Sequence, residues 1–305
     1  MQSVHKTVLL KETIDGLNLG PKSLVVDGTF GGGEHSLEVC KRFPDVKIIA
    51  LDQDKSVFTK EDKFKDCSIS FINANFRNID KVLGAELPLG SSAPKTVDGI
   101  IFDLGLSSDQ LENSGRGFSF LKDEPLLMTM KENPSSEDVT AQDVVNTWGE
   151  ESLADIIYGY GEEKQARRIA KQIVEFRKRQ EIKTTFDLVK VIEQAIPAKF
   201  RKGNKRRIHF ATKTFQAIRV AVNDELGALA EGLDKGFAAL KVGGRMSVIS
   251  FHSLEDRIVK RFFKKQVEEK TGLLINKKPI TATKEEIKNN PRARSAKLRI
   301  LEKIR

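Results

Sequence analysis

The chain is poor in the residues that build covalently stapled or metal-held folds. Its only cysteines are Cys40 and Cys67. Two thiols make neither a disulfide framework nor a metal cluster, and they fit a reducing cytosol more easily than an oxidising compartment. The histidines His5, His35, His209 and His252 are scattered, without a His-Glu-x-x-His or comparable ligand spacing, so no metal is expected. The first residues lack the apolar centre of a signal peptide, and no apolar run approaches the length of a membrane span. These absences predict a soluble, cytoplasmic protein with no membrane partner. Two nucleotide fingerprints are missing as well. There is no Gly-Lys-Ser/Thr phosphate loop, and Ser36 stands where a G-x-G-x-x-G counted from Gly31 needs its third glycine. That disfavours a nicotinamide-dependent dehydrogenase.

What is present is an ordinary globular composition, 31% charged and 39% hydrophobic over 305 residues. Such a chain buries a large core and makes one or two domains. Its formal net charge of +9 suits a polyanionic partner, although a solvated basic surface gives the same sum.

The chain is organised around residues 24–36. Three apolar β-formers run into Asp27, a glycine turn follows at Gly31, Gly32 and Gly33, and a helix starts near Ser36. Strand, glycine loop and helix open a doubly wound α/β domain and place a ligand at the strand's carboxyl end. Residues 46–52 predict a second strand ending in Asp52, 68–72 a third leading to Phe76, and 97–103 a buried fourth ending in Asp103. Three strands thus deliver carboxylates to one edge of the sheet. From about 113 to 210 the periodicity is helical, with Ala166, Ile169, Ala170, Ile173 and Val174 forming one apolar stripe. The α/β pattern resumes with a long helix spanning Phe215 to Phe237, a fifth strand at 245–251, and two tail strands near 273–277 and 296–301. The expected organisation is a core of 1–112 and 211–305 interrupted by a helical insertion of 113–210, with seven strands in one sheet and no internal repeat.

The pattern Asp27-x-x-x-Gly31-x-Gly33 followed by Asp52 suits S-adenosylmethionine, which has an amino-acid end and a nucleoside but no phosphate. The loop backbone takes the methionine end, and Asp52 accepts from the ribose hydroxyls. After the fourth strand, Asp103-Leu-Gly-Leu-Ser-Ser108 occupies the place where amino-group methyltransferases hold their target nitrogen, with Asp103, Ser107 and Ser108 as candidate catalytic groups. An exocyclic base amine is a poor nucleophile, and acceptors on its hydrogens with in-line alignment favour transfer. Phe251 and His252 follow the fifth strand, where a ring stacks on a base and an imidazole relays a proton, or where His252 serves only as a structural residue. Basic runs at Arg201, Lys202, Lys205, Arg206 and Arg207, at Arg257 to Lys265, and at Arg292, Arg294 and Lys297 are candidate phosphate contacts with RNA.

These residues resemble one family, the ribosomal small-subunit RNA cytosine-N4 methyltransferases of the MraW/RsmH type. The resemblance runs through His5 with Val8-Leu-Leu-Lys-Glu12, Asp27-Gly-Thr-Phe-Gly31, Asp103-Leu-Gly-Leu-Ser-Ser108 with Gln110, and Arg116-Gly-Phe-Ser-Phe120. It continues in Tyr160-Gly-Glu-Glu163, Thr214-Phe-Gln-Ala217, Ile249-Ser-Phe-His-Ser-Leu-Glu-Asp-Arg257 and Asn290-Pro-Arg-Ala-Arg-Ser295. It implies an α/β fold: a seven-stranded Rossmann-like S-adenosylmethionine-dependent methyltransferase sheet with an inserted all-helical domain. It implies S-adenosylmethionine as methyl donor, and a decoding-region cytidine of 16S ribosomal RNA, free or in the small ribosomal subunit, as substrate. It also implies a donor site of Gly33, Glu34, His35, Asp52, Phe76, Asp103 and Gln110, with Phe76 against the adenine. A homodimer is left open. The chain departs from the family pattern at Glu34, usually glycine, at Leu127, Thr129 and Lys131, which replace two acids and an arginine, and at Phe210, where proline is common. Those departures motivate the alternative of an RNA-binding or ribosome-assembly factor of the same fold without turnover.

Overall fold

The computed structural model describes residues 7–85, 96–198 and 209–305, apart from the side chains of 59–61. His5 and the basic run at Arg201, Lys202, Lys205, Arg206 and Arg207 lie outside the described residues. The chain divides into two compact units, residues 1–105 with 226–305 and residues 106–225.

The first unit is built on the strands β1 (Leu24–Asp27), β2 (Lys47–Asp52), β3 (Ser68–Asn73), β4 (Val97–Asp103), β5 (Leu240–Ser250), β6 (Gly272–Leu274) and β7 (Lys297–Lys303). They form one sheet in the order β3-β2-β1-β4-β5-β7-β6. The first five pair in parallel, while β7 runs antiparallel to β5 and β6 antiparallel to β7. Side chains along a strand alternate between faces, and here both faces are covered. Leu24, Val26, Ile49, Leu51, Ile100 and Phe102 bury one face. Against it pack α3 (Ile79–Gly84), α10 (Glu225–Ala239) and α11 (Ser253–Glu268), through residues such as Ile79, Leu233 and Phe263. Val25, Ile48 and Ile101 point the other way, onto Ile14 and Leu17 of α1 (Leu10–Leu17) and Val39 of α2 (Glu34–Arg42). The strand order reverses between β1 and β4. That reversal opens a crevice beyond the strand ends, where open α/β sheets hold ligands.

The second unit consists of helices α4 (Ser108–Asn113), α5 (Ala141–Thr147), α6 (Glu150–Gly159), α7 (Ala166–Arg177), α8 (Thr185–Ala195) and α9 (Thr212–Asn223). The apolar stripe expected on residues 166–174 is real: Ile169, Ala170 and Ile173 are fully buried with Val144, Leu153, Leu188 and Ile218 in one core. Thr184 caps α8 in a reciprocal box with Asp187, and the helix ends at Ala195, two residues before Pro197.

Two expectations are corrected. The single helix expected over 215–237 is broken at Asp224, which takes a left-handed φ of 45°. Asn223 explains the stop: its amide donates to Met128 O at 2.7 Å, and its Oδ1 accepts from Met130 N at 2.8 Å. The apolar period runs through the break, so periodicity alone could not reveal it. Cys40 and Cys67, read as thiols outside any disulfide framework, are joined in a disulfide with their Cα atoms 5.7 Å apart. Cys40 lies late in α2 and Cys67 just before β3, and their neighbours Val39 and Ile69 share a core cluster. Packing makes neighbours of residues that are remote in sequence, so cysteine count says nothing here about compartment.

Candidate active site

The loop after β1 is shaped by its own hydrogen bonds. Asp27 is buried, and its carboxylate accepts from Ser36 Oγ at 2.7 Å and from Thr29 N at 3.3 Å. Ser36, the residue that breaks the dinucleotide fingerprint, therefore ties the first turn of α2 back to the strand end. Gly33 takes a φ of +75°, and a Cβ there would stand 2.5 Å from the Phe30 ring, so only glycine serves. Beneath the loop, Phe30 packs on Phe58, Phe64 and Phe71 at centroid distances of 5.3 to 5.5 Å, a rigid apolar floor.

Asp52 ends β2 and accepts from Gly31 N and from Asp54 N, each at 2.9 Å. It joins the glycine loop to the second strand and keeps further lone pairs for a ligand. Burial pushes both Asp27 and Asp52 up to about 6, against the opposing pull of these hydrogen bonds. Glu34 opens α2, where a carboxylate faces the positive end of the helix. Its Oε1 lies 3.8 Å from Lys63 Nζ. Phe76, half-buried, starts a single 3₁₀ turn, with its ring 4.9 Å from that of Phe102. Gly232 leaves room for that ring: a Cβ there would come within 2.4 Å of it.

Asp103 ends β4, and its own N–H donates to Thr29 Oγ1 at 2.6 Å. The carboxylate is treated differently from those of Asp27 and Asp52. Oδ2 lies 3.7 Å from His35 Nδ1, and Oδ1 is buried with no hydrogen-bond partner among the described residues. Burial, reinforced by the negative charges of Asp27 and Glu255, pushes Asp103 up to about 8. Such an oxygen is a strong acceptor awaiting a donor.

His252 caps the N-terminus of α11, and its Nε2 lies 3.1 Å from Glu255 Oε1. Glu255 is a residue the sequence reading missed. It is buried, and its Oε2 accepts from Phe251 N at 2.8 Å and His252 N at 3.2 Å. The signal was available, since His252-Ser-Leu-Glu255 has the spacing of a capping box.

In the second unit, Ser107 caps α4. Its Oγ accepts from Gln110 N at 3.1 Å, and Gln110 Oε1 accepts from Ser107 N at 3.0 Å. Gln110 is buried and Ser108 is the first helical residue. The departures at 127–131 are absorbed locally: Thr129 Oγ1 donates to Lys131 O at 3.0 Å, and Lys131 pairs with Asp138. The Asp138 carboxyl, held by Lys131 and Ser135, is lowered to about 2. Phe210 packs on the ring of His209 at 4.2 Å. Of the basic residues, Arg257, Arg292 and Arg294 are exposed. Lys297 and Arg299, by contrast, both turn to Asp256 at 2.8 Å, which ties Lys297 of the tail run to an acid.

The chain is similar to known proteins along its whole length. The profile of the MraW methylase family matches residues 2–304. A ribosomal RNA small subunit methyltransferase H from Acetivibrio thermocellus is 45% identical, covering 100% of both chains. Enzymes of the same name from Limosilactobacillus fermentum and Lactobacillus johnsonii are 41% and 43% identical, covering 98% and 100% of those proteins.

Proposed function

The chain belongs to the MraW methylase family, and from that membership we propose that it methylates the exocyclic N4 amine of a cytidine in the decoding region of small-subunit ribosomal RNA, in the cytoplasm. It is a methyltransferase whose methyl donor is S-adenosylmethionine. The observation that carries the reading is the buried Oδ1 of Asp103, without a hydrogen-bond partner among the described residues, at the same sheet edge as the glycine loop and Asp52.

The residues at this edge fit such a donor. Around Gly33 the loop offers backbone with almost no side chain, and Asp52 holds lone pairs suited to a ribose diol. The bound donor supplies a methyl group on a positively charged sulfur. Asp103 supplies what the acceptor lacks: its Oδ1 accepts a hydrogen of the N4 amine, raises electron density on nitrogen and fixes its approach. Phe76 lies against the adenine and Phe251 against the cytosine ring. Arg257, Arg292 and Arg294 take phosphates. The Glu34 carboxylate, turned to Lys63, removes one motive for reading the protein as an assembly factor without turnover.

The test is incubation with labelled donor and either assembled small subunits or naked 16S RNA, followed by nuclease digestion and mass analysis of the nucleosides. N4-methylcytidine in one of the two substrates is the expected result, and comparing them identifies the true partner. Donor binding with no methylated RNA in either would replace this reading with the assembly-factor one.

A further inference from the structure

The first turn of α2 sends consecutive side chains to two different strand ends. Ser36 donates its hydroxyl to Asp27, while His35 turns its imidazole to Asp103. The two acids receive different kinds of neighbour. A hydroxyl is neutral at every relevant pH. An imidazole takes up a proton near neutrality and becomes a cation. His35 is buried, with 6% of its side chain exposed, and its Nδ1 faces Asp103 Oδ2 at 3.7 Å, too long for a hydrogen bond and within reach of an ion pair.

We propose that His35 is a positioning residue whose protonated imidazole holds Asp103 as a carboxylate, so that Oδ1 can take the proton that the target amine must lose. This rests on the reading of Asp103 given above. The balance requires it. As the amine lone pair forms the new nitrogen–carbon bond, the sulfur–carbon pair returns to sulfur, and the nitrogen sheds one proton. Asp103 accepts that proton only if it arrives ionised. Burial opposes ionisation, and so do the charges of Asp27 from β1 and Glu255 from the start of α11. Among the other groups at this edge, Thr29 Oγ1 is occupied by Asp103 N, and His252 Nε2 is turned to Glu255. His35 is thus the imidazole placed to offset the two acids. A neutral amide at that position would keep the packing and lose the charge.

Two measurements test it. In the first, single-turnover transfer at saturating donor is followed from pH 5.5 to 9.5 for the wild type and for His35→Gln. Loss of a cation beside a carboxyl raises the carboxyl's pKa by about 1 unit or more. The acid limb of His35→Gln, followed at donor concentrations that saturate that variant and read relative to its own alkaline plateau, should therefore move up by about 1 pH unit. A profile that superimposes on the wild type, or that drops uniformly at every pH, overturns the proposal. The second measurement needs no substrate. The His35 imidazole is titrated by nitrogen NMR in the donor-free protein and in Asp103→Asn. Its midpoint should fall by about 1 unit or more when the carboxylate is removed, and an unmoved midpoint overturns the pairing. The second result stands even if no RNA is methylated, so the two readings fail separately.

Discussion

Two halves of one sheet edge treat their strand-tip acids in opposite ways. At β1 and β2, Asp27 and Asp52 accept four hydrogen bonds between them, from Ser36, Thr29, Gly31 and Asp54. At β4, Asp103 accepts none at Oδ1 among the described residues, and its Oδ2 faces the His35 imidazole. The first half is built to hold its shape. Hydrogen-bonded carboxylates over a floor of four phenylalanines make a loop that meets its ligand already formed, and this limits what binding loses to ordering. The second half keeps a polar atom unsatisfied, which costs stability and is tolerated where the atom has a chemical task.

The sharpest way to break the comparison is at Asp103. Asp103→Asn keeps the shape and removes the charge. Transfer should fall by about 10²–10⁴-fold, the range for loss of a positioned proton acceptor, while the folded protein becomes more stable. The sign follows from the raised pKa. With His35 uncharged, a carboxyl that burial, Asp27 and Glu255 raise from 3.8 to about 8 keeps its proton in the native state after the unfolded chain has released it. Stability is therefore lost as pH climbs from about 4 towards 8 and is level above that. Asp27 and Asp52, at about 6, add slope only in the lower part of that window. The Tm advantage of Asp103→Asn over wild type should therefore widen between pH 6.5 and 8.5, to an unfolding free-energy gain of about 1–3 kcal/mol, read by calorimetry. An advantage that stays flat or shrinks with pH would mean that Asp103 is not the strained member of the pair.

On the hydrogen-bonded side, Asp52→Ala should act on binding. The lost acceptor leaves Gly31 N without its partner and removes the ribose contact, so donor Kd should weaken by about 10- to 100-fold, measured by calorimetric titration. Turnover at saturating donor should change far less. A variant whose loss falls mainly in kcat would erase the division between a holding half and a reacting half.

How much of this was legible beforehand differs between the same two halves. The strand-tip acids were readable because each ends a short apolar run bounded by turn residues, the pattern of a buried strand. The seven-stranded sheet followed from their order. What escaped depended on side chains remote in sequence. Glu255 carries no role in the sequence reading, since only the folded sheet brings its charge to Asp103. Ser36 was read as a missing glycine, when its hydroxyl holds Asp27. The break at Asp224 lies inside an unbroken apolar period and is set by Asn223 reaching back to Met128 and Met130. Sequence pattern reports which face of an element is apolar, and it is silent about which polar atoms meet across elements.

The smallest expected effect is at Glu34, the departure that most threatened the site on sequence grounds. A carboxylate in a donor loop should repel the carboxylate end of an amino acid. Its position answers the concern: it opens α2, where helix polarity favours an acid, and its Oε1 lies 3.8 Å from Lys63 Nζ with both side chains partly exposed. An exposed pair of this kind is worth about 0–1 kcal/mol, which bounds the change in either direction. Glu34→Gly should therefore alter donor Kd by less than about fivefold, and raising the salt from 50 to 500 mM should shrink the difference further. A gain of tenfold or more that persists at high salt would show that Glu34 reaches the donor itself, and the holding half of the edge would then carry an opposing charge of its own.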